Sequence, residues 1–314
     1  MKKLFFALLL FLSGSAQAAF EYYDYSGRAV GFGDAFTAMA DDVSAMYINP
    51  AGTAFINKKS ISFSYSKPYT GVGDDLSNGY IAMAVPIDEN VSAGIYYTGF
   101  GLDVYTEKTY AVTVGYKKIL DNKQYLSLGL SVKNLVKELG SGDSIDANPV
   151  FAGKKSASAF SFDAGAIYRM AGASFGLAIQ NINQPDINFG TAADPVSPKI
   201  TGGAAVKIMA GMIAEADYSM FGNSWVASVG GEYNINKSNL CVRLGGGIGS
   251  DSYSRLNAGF GYDYTLPGSG VSVGIDYGFS YQLGFIDGSI GSHILTLTFR
   301  ELPKKTGKEG EDAK

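Results

Sequence analysis

The chain has 314 residues and a formal net charge of −4, and it combines 41 Gly, 21 Tyr and 19 Phe with only 9 Pro. One Cys (Cys241) and one His (His293) exclude a disulfide framework and argue against a metal site or histidine-based catalysis. The mildly acidic balance, without a basic patch, points away from nucleic acid, and we expect no cofactor.

Residues 1–18 have the composition of a secretory signal peptide. A basic start precedes an apolar run, Leu4 to Leu12, and Ala16-Gln17-Ala18 has the small-x-small pattern of a cleavage site. We therefore expect an exported protein whose mature chain starts at Ala19. No later stretch of about 18 apolar residues could form a transmembrane helix.

Residues 19–57 are rich in Gly and Ala and do not alternate between apolar and polar positions. Asp34 is predicted to cap a short helix through Ala40, and Asp42 a second helix through Tyr47. Asn49-Pro50-Ala51-Gly52 should end the second helix, because Pro lacks an N–H and forces the preceding residue into an extended conformation. This segment is too small for an independent domain.

Residues 58–300 alternate in the manner of β-strands, as Val271 to Tyr281 shows best, with an aliphatic or aromatic residue at every second position. Each segment is long enough for a tilted strand to cross the hydrocarbon layer. The predicted strands are 60–66, 79–86, 91–98, 108–117, 124–134, 158–169, 173–182, 199–209, 212–219, 225–234, 240–249, 255–264, 271–281 and 292–300.

The alternation has two interpretations. In a soluble sandwich the apolar face would form the core, whereas in an outer-membrane barrel it would meet lipid and the polar face would line the lumen. Short turns such as 88–90 alternate with longer loops such as 67–78, 135–157 and 183–198, which is typical of the barrel. We therefore predict an all-β fold, a 14-stranded antiparallel transmembrane β-barrel in the cell outer membrane, with residues 19–57 as a small hatch in its lumen.

Strand parity predicts which side chains face lipid. Phe160 and Phe162 should face outward and Ser161 and Asp163 inward. The last strand ends at Phe299, which could act as an internal signal for the barrel-assembly machinery. Residues 301–314 are rich in Lys and Glu without an apolar pattern and are predicted to be a disordered periplasmic tail.

The N-terminal segment resembles a known family. The order Arg28-Ala29-Val30-Gly31-Phe32-Gly33-Asp34-Ala35-Phe36, Ala40-Asp41-Asp42-Val43-Ser44-Ala45 and Asn49-Pro50-Ala51-Gly52 is similar to the start of FadL-like outer-membrane proteins, and most similar to their PorV/UPF0164 branch. The resemblance implies a barrel with an N-terminal hatch. It also implies a hatch or gating role for Arg28, Asp41, Asp42, Asn49, Pro50 and Ala51.

Charged residues on the lumen face form the one polar cluster of interest. If the turn between Tyr233 and Leu240 is symmetric, Glu232 lies opposite Arg243, and Asp263 on the next strand lies at a similar depth. This lumen charge cluster could dock the hatch or gate a path, with Arg28, Asp41 or Asp42 as partners. The favoured interpretation is a charge ladder that stiffens a wet wall.

Two functions remain open. The protein could pass hydrophobic or amphipathic small molecules, and Gly99 and Gly101 would then mark a strand kink that opens sideways to lipid. Alternatively, it could be a PorV-like carrier or scaffold for secreted or surface proteins, with a plugged, inert lumen. His293 has Ser289 and Ser292 nearby but no nucleophile motif, so we expect no enzyme. Outer-membrane lipid is a partner in either case.

Overall fold

The computed structural model describes residues 20, 24–72, 76–102, 104–121, 123–141, 154–190, 193–235, 238–284 and 288–302. The predicted signal peptide and nearly all of the predicted tail lie outside these ranges. Within them, no helix is both long enough and apolar enough to cross a membrane.

Fourteen antiparallel strands form a closed barrel in which each strand pairs with its neighbours in sequence and β1 pairs with β14. All fourteen predicted strands are confirmed, and most are longer than predicted by one to five residues at an end. The strands are β1 (Ser60–Lys67), β2 (Ser77–Pro86), β3 (Val91–Leu102), β4 (Tyr105–Asp121), β5 (Gln124–Leu139), β6 (Ser156–Arg169), β7 (Ala173–Gln180), β8 (Lys199–Met209), β9 (Met212–Phe221), β10 (Ser224–Asn234), β11 (Leu240–Gly249), β12 (Ser254–Leu266), β13 (Val271–Gln282) and β14 (Ser292–Glu301).

The pairing of β1 with β14 shows how polar and apolar side chains are divided between the two faces of the wall. Ser62 and Ser64 of β1 face the lumen, where their hydroxyls lie 3.0 Å from Thr298 Oγ1 and 2.5 Å from Thr296 Oγ1 of β14. On the opposite face, the rings of Phe63 and Phe299 meet edge to face. Polar groups are therefore buried and apolar groups exposed, the inverse of a soluble protein.

The same inversion confirms the parity prediction on β6. Phe160 and Phe162 are exposed on the outer surface, whereas Ser161 and Asp163 are almost completely buried in the lumen. Large apolar side chains are exposed on the outer face of every strand, which excludes the sandwich interpretation because a sandwich would bury them.

The first half of the hatch folds differently from the prediction. Ser26 caps a short helix, α1 (Gly27–Gly31), by accepting a hydrogen bond from the Ala29 N–H. The helix predicted to start at Asp34 is absent, since Gly33 and Asp34 both have positive φ and residues 35–40 contain only a turn at 37–39.

The second half of the hatch follows the prediction more closely. Helix α2 (Ala45–Ile48) ends at Asn49, which is extended as expected before Pro50, and a 3₁₀ helix follows (Pro50–Phe55). Asp42 does not cap α2 directly; its carboxylate accepts hydrogen bonds from the N–H and hydroxyl of Ser44, the residue before the helix.

The hatch lies inside the barrel and forms its core. Helix α1 packs against β12, β13 and β14, whereas the 3₁₀ helix packs against β4, β5 and β6 on another side of the lumen. The side chains of Phe32, Phe36 and Met46 in the hatch are fully buried. A segment with too few residues for a domain is thus ordered by burial against the wall.

The connection between β7 and β8 also turns inward. It was predicted to be an outside loop over residues 183–198, but Ile187 and Val196 are buried against Leu135 of β5. Asn181, at the start of the loop, accepts a hydrogen bond from Lys133 Nζ at 2.7 Å. We call residues 181–198 the inner loop.

Candidate functional site: the hatch and its docking surface

Arg28 is the centre of the contact between the hatch and the wall. Its Nη1 lies 2.7 Å from Asp41 Oδ1 and 3.0 Å from Asp42 Oδ2, both within the hatch. Its Nε lies 3.0 Å from Glu232 Oε2 on β10. The guanidinium also lies over the ring of Phe36, 5.0 Å from its centroid. Arg28 therefore joins two parts of the hatch to the barrel.

The wall side of this network contains the predicted cross-strand pair. Glu232 is opposite Arg243 in the β10–β11 register, and the Nε–Oε2 distance is 2.7 Å. Arg243 Nη1 also lies 2.7 Å from Asp276 Oδ1 on β13. Because Glu232 binds Arg28 as well, the cluster docks the hatch, and the favoured interpretation of a plain charge ladder is incomplete.

Asp263 does not belong to this cluster, contrary to the prediction. It pairs with Arg300 at 2.6 Å, and its side chain is 66 % exposed. The β12–β13 register places Asp263 opposite Gly274 and Asp276 opposite Gly261. Asp263 therefore lies two residues nearer the turn than the position beside Arg243, which Asp276 occupies.

Two carboxylates of β9 hold the backbone of the hatch. Asp217 Oδ2 accepts hydrogen bonds from the N–H groups of Phe36 and Thr37, both at 3.0 Å. Glu215 accepts from Ala38 at 2.5 Å and Met39 at 3.0 Å. These four consecutive N–H groups are satisfied by the wall, which explains why residues 35–40 are not helical.

Asn49 and Pro50 lie where the hatch meets β5 and β6. The buried Asn49 carboxamide donates to Thr37 O at 2.8 Å and accepts from Ala51 N at 3.1 Å, so it joins two turns of the hatch. A Cβ at Gly165 would lie 2.0 Å from Asn49 Oδ1, and one at Gly129 would lie 2.1 Å from the carbonyl carbon of Pro50. These contacts hold Asn49 and Pro50 against the wall, and the gating role that the resemblance implies for them stays a prediction.

Other lumen-facing glycines also let the hatch approach the strand backbone closely, because glycine has no side chain. A Cβ at Gly245 would lie 2.6 Å from Gly33 N. We call the lumen-facing glycines that contact the hatch the glycine belt. They are Gly94, Gly115, Gly129, Gly165, Gly176, Gly230, Gly245, Gly259 and Gly278.

The charges and hydrogen bonds around Arg28 and Asp42 favour the ionised forms of both side chains. Burial lowers the pKa of Arg28, but the carboxylates of Asp41, Glu232 and Asp42 outweigh it and raise that pKa well above the usual value. Burial alone would raise the pKa of Asp42, but Arg28 and the hydrogen bonds from Ser44 lower it below the usual value. Arg28 and Asp42 are thus both ionised at neutral pH.

Little space remains around the hatch. One cavity of about 30 Å³ is lined by Tyr25, Tyr47 and Tyr96 among others, and a second of about 40 Å³ by Asp24, Asp34 and Tyr80 among others. A cavity of about 150 Å³ is known to hold benzene, whereas these two hold only water-sized molecules. At these two positions the hatch and the wall leave no room for a larger ligand.

The predicted sideways opening is not present. Gly99 and Gly101 lie in β3, which pairs continuously with β2 from Ser92 to Gly101 and with β4 from Val91 to Leu102. The prediction of a kink at these glycines is therefore wrong, because regular pairing on both sides keeps the strand in register.

His293 lies in β14, with its Nδ1 2.7 Å from the hydroxyl of Tyr277.

A closed fourteen-stranded wall with an apolar exterior and a buried N-terminal hatch defines an outer-membrane β-barrel. Within that class, residues 42–299 match the family described as type IX secretion system membrane protein PorP/SprF. The chain belongs to the PorP/SprF family. No curated protein matches it.

Solved structures share the fold at low sequence identity. A FadL homologue of Pseudomonas aeruginosa has a TM-score of 0.58 at 12 % identity, over 90 % of this chain and 99 % of that chain. The toluene transporter TodX of Pseudomonas putida has a TM-score of 0.60 at 10 % identity, over 91 % and 100 %. The toluene transporter TbuX of Ralstonia pickettii has a TM-score of 0.55 at 12 % identity, over 88 % and 100 %.

Proposed function

We propose that this protein is an outer-membrane platform for protein export. It binds exported polypeptides on its outer surface and does not pass them or small molecules through its lumen. The observation that carries the proposal is the docked hatch, which Arg28, Glu215, Asp217 and Glu232 hold against the wall inside the lumen. The description of the PorP/SprF family as a secretion-system membrane protein supports a role in export. This is the carrier or scaffold alternative, as in the PorV/UPF0164 branch, and membership of that branch stays a prediction.

Passage of hydrophobic molecules is the competing function. Two of the similar structures are toluene transporters, but at 10 % and 12 % identity they carry the fold alone. The unbroken β3 and the two small cavities give a small molecule no described route. The proposed role requires no catalytic step, and its partners are outer-membrane lipid, exported polypeptides and, during biogenesis, the barrel-assembly machinery.

Deletion of the gene in the native host tests the proposal. We expect the amounts of proteins at the cell surface and in the medium to fall, as measured by quantitative mass spectrometry, while uptake of radiolabelled toluene and of a long-chain fatty acid is unchanged. Re-expression of the wild-type gene is the control. Unchanged export together with reduced uptake would contradict the export platform and favour a channel for hydrophobic molecules.

Co-purification from the native membrane in mild detergent provides a second readout. An exported protein bound in near-stoichiometric amount is expected under the platform proposal. A near-stoichiometric hydrophobic small molecule in its place would favour passage.

A further inference from the structure

Strand β6 is much longer than its neighbour β7, so the two strands pair over only part of β6. Strand β6 spans Ser156–Arg169 and is paired with β5 along its whole length. Its other neighbour, β7, pairs with only six of its residues, Ala164 to Arg169. The outer half of β6 therefore has β5 on one side and no strand of the described chain on the other.

The inner loop covers only the first part of this edge. Ile182 N donates to Phe162 O at 2.9 Å, and the side chain of Asn183 accepts from Phe162 N and donates to Phe160 O at 3.2 and 2.9 Å. The chain then turns into the lumen, where Ile187 is buried. The Asn183 carboxamide thus makes two bonds that a neighbouring strand would otherwise make.

Above Asn183 the edge has unpaired backbone groups. Since residues alternate in the direction of their hydrogen bonds, Ser156, Ser158 and Phe160 direct their backbone groups away from β5, as Phe162 does. Among the described residues, no hydrogen bond satisfies the N–H of Phe160 or the edge-facing groups of Ser158. This edge has small side chains, Ser156, Ala157, Ser158 and Ala159, and no Pro.

Natural sheets usually protect such an edge with a charge, a Pro or a bulge, since unpaired strand edges readily accept another strand. Here the only charges are Lys154 and Lys155, which precede the strand. Lys154 has no ion-pair partner in the described part of the chain, and Lys155 bonds to Ser141 Oγ at 3.1 Å. Phe160, 65 % exposed, adds an apolar surface beside the edge.

We propose that the outer edge of β6, from Ser156 to Phe160, binds an extended segment of an exported polypeptide as an added β-strand. The unpaired backbone groups of β6 require a partner in an extended conformation. The exposed ring of Phe160 favours apolar side chains on the outward face of that partner. Lys154 favours an acidic residue at the end of the partner that lies beside it. This inference rests on the proposed function, because it names the surface by which the platform holds its exported partner.

A proline at position 158 tests the backbone contact. Ser158→Pro removes one edge-facing N–H, and Pro is tolerated on an edge strand whose ladder with β5 uses the alternate residues. Ser158→Ala is the matched control, because it changes the side chain and keeps the N–H. We expect export in the native host to fall at least about tenfold in Ser158→Pro, which corresponds to about 1.4 kcal/mol, with wild-type export in the control.

A second variant, Ser156→Pro, should reduce export in the same way, and both variants are checked for a heat-modifiable barrel at wild-type level in the outer membrane. If gene deletion blocks export but both folded proline variants export normally, the edge is not the binding surface and the proposed function stands. If deletion itself leaves export intact, the proposed function fails instead.

Crosslinking identifies the occupant. A thiol-reactive benzophenone is attached to a Ser158→Cys protein and, as the matched control, to a Val136→Cys protein, because Val136 lies opposite Ser158 and is paired on both sides. The native Cys241 is buried. We expect adducts with exported polypeptides at position 158 alone, mapped to an alternating segment. Adducts with a second copy of this chain, with residues 142–153, or equally at both positions would overturn the proposal.

Discussion

Arg28 of the hatch and Glu232 of β10 are 204 residues apart in sequence, yet their Nε and Oε2 atoms lie 3.0 Å apart inside the barrel. The pair has Asp41 and Asp42 on one side and Arg243 on the other. The hatch is therefore held in the lumen by an ionic contact as well as by packing.

Removal of Arg28 should release the hatch. In Arg28→Met, the carboxylates of Asp41, Asp42 and Glu232 lose their common partner, and breaking a buried ion pair in this way typically costs about 3–5 kcal/mol. We expect the hatch to become sensitive to protease in purified protein, with fragments identified by mass spectrometry. The control is Arg300→Met, whose exposed pair with Asp263 contributes about 0–1 kcal/mol. Equal protection in both variants would contradict the docking role.

The glycine belt predicts a steric effect at Gly165. In Gly165→Ala, the added Cβ would lie 2.0 Å from Asn49 Oδ1, so the hatch or the strand must shift. Overpacking of this kind costs about 1–3 kcal/mol. The temperature at which the barrel loses its fast-migrating form in gel electrophoresis should fall. Gly202→Ala is the control, since a Cβ there meets no atom within 4 Å, and an equal loss in both variants would contradict the account.

The carboxylate of Asp217 is predicted to hold the non-helical part of the hatch. Asp217→Ala leaves the N–H groups of Phe36 and Thr37 without their acceptor, at a cost of about 1–3 kcal/mol for each buried group. Hydrogen exchange of residues 36–39 should become faster. Ser219→Ala on the same face of β9 removes only a bond to Thr201, so exchange in the hatch should remain slow.

Acid should weaken the hatch through Asp42. The pKa of Asp42 is lower in the folded protein than the unfolded value of about 3.9, so its stabilising contribution is complete above that value and is lost as the pH falls through the folded pKa. Protease protection of the hatch, measured after brief incubation at each pH with an acid-active protease, should therefore decline in this range. Asp42→Asn should lower protection at neutral pH and flatten the decline, whereas an unchanged profile would show that Asp42 does not contribute.

The strands and their facing could be predicted because alternation is a local property. Each strand has its own two faces, so Phe160 and Ser161 reveal their environments without knowledge of any neighbour. The Glu232–Arg243 pair was also within reach, since one short turn sets its register.

The depth of a residue in the lumen could not be predicted in the same way. It depends on register added across several tilted strands, and a shift of two residues is enough to place Asp276 rather than Asp263 beside Arg243. The non-helical path of residues 36–39 was missed because their N–H groups bond to Glu215 and Asp217, about 180 residues away in the chain. The inward path of the inner loop likewise depends on Leu135 of a distant strand.

Conductance of the purified protein in planar lipid bilayers tests the central claim, a closed lumen, most directly. The intact protein should insert without producing a steady conductance, whereas a variant that lacks residues 24–57 should conduct ions through the emptied barrel. A steady conductance of the intact protein, equal to that of the deletion variant, would contradict the account.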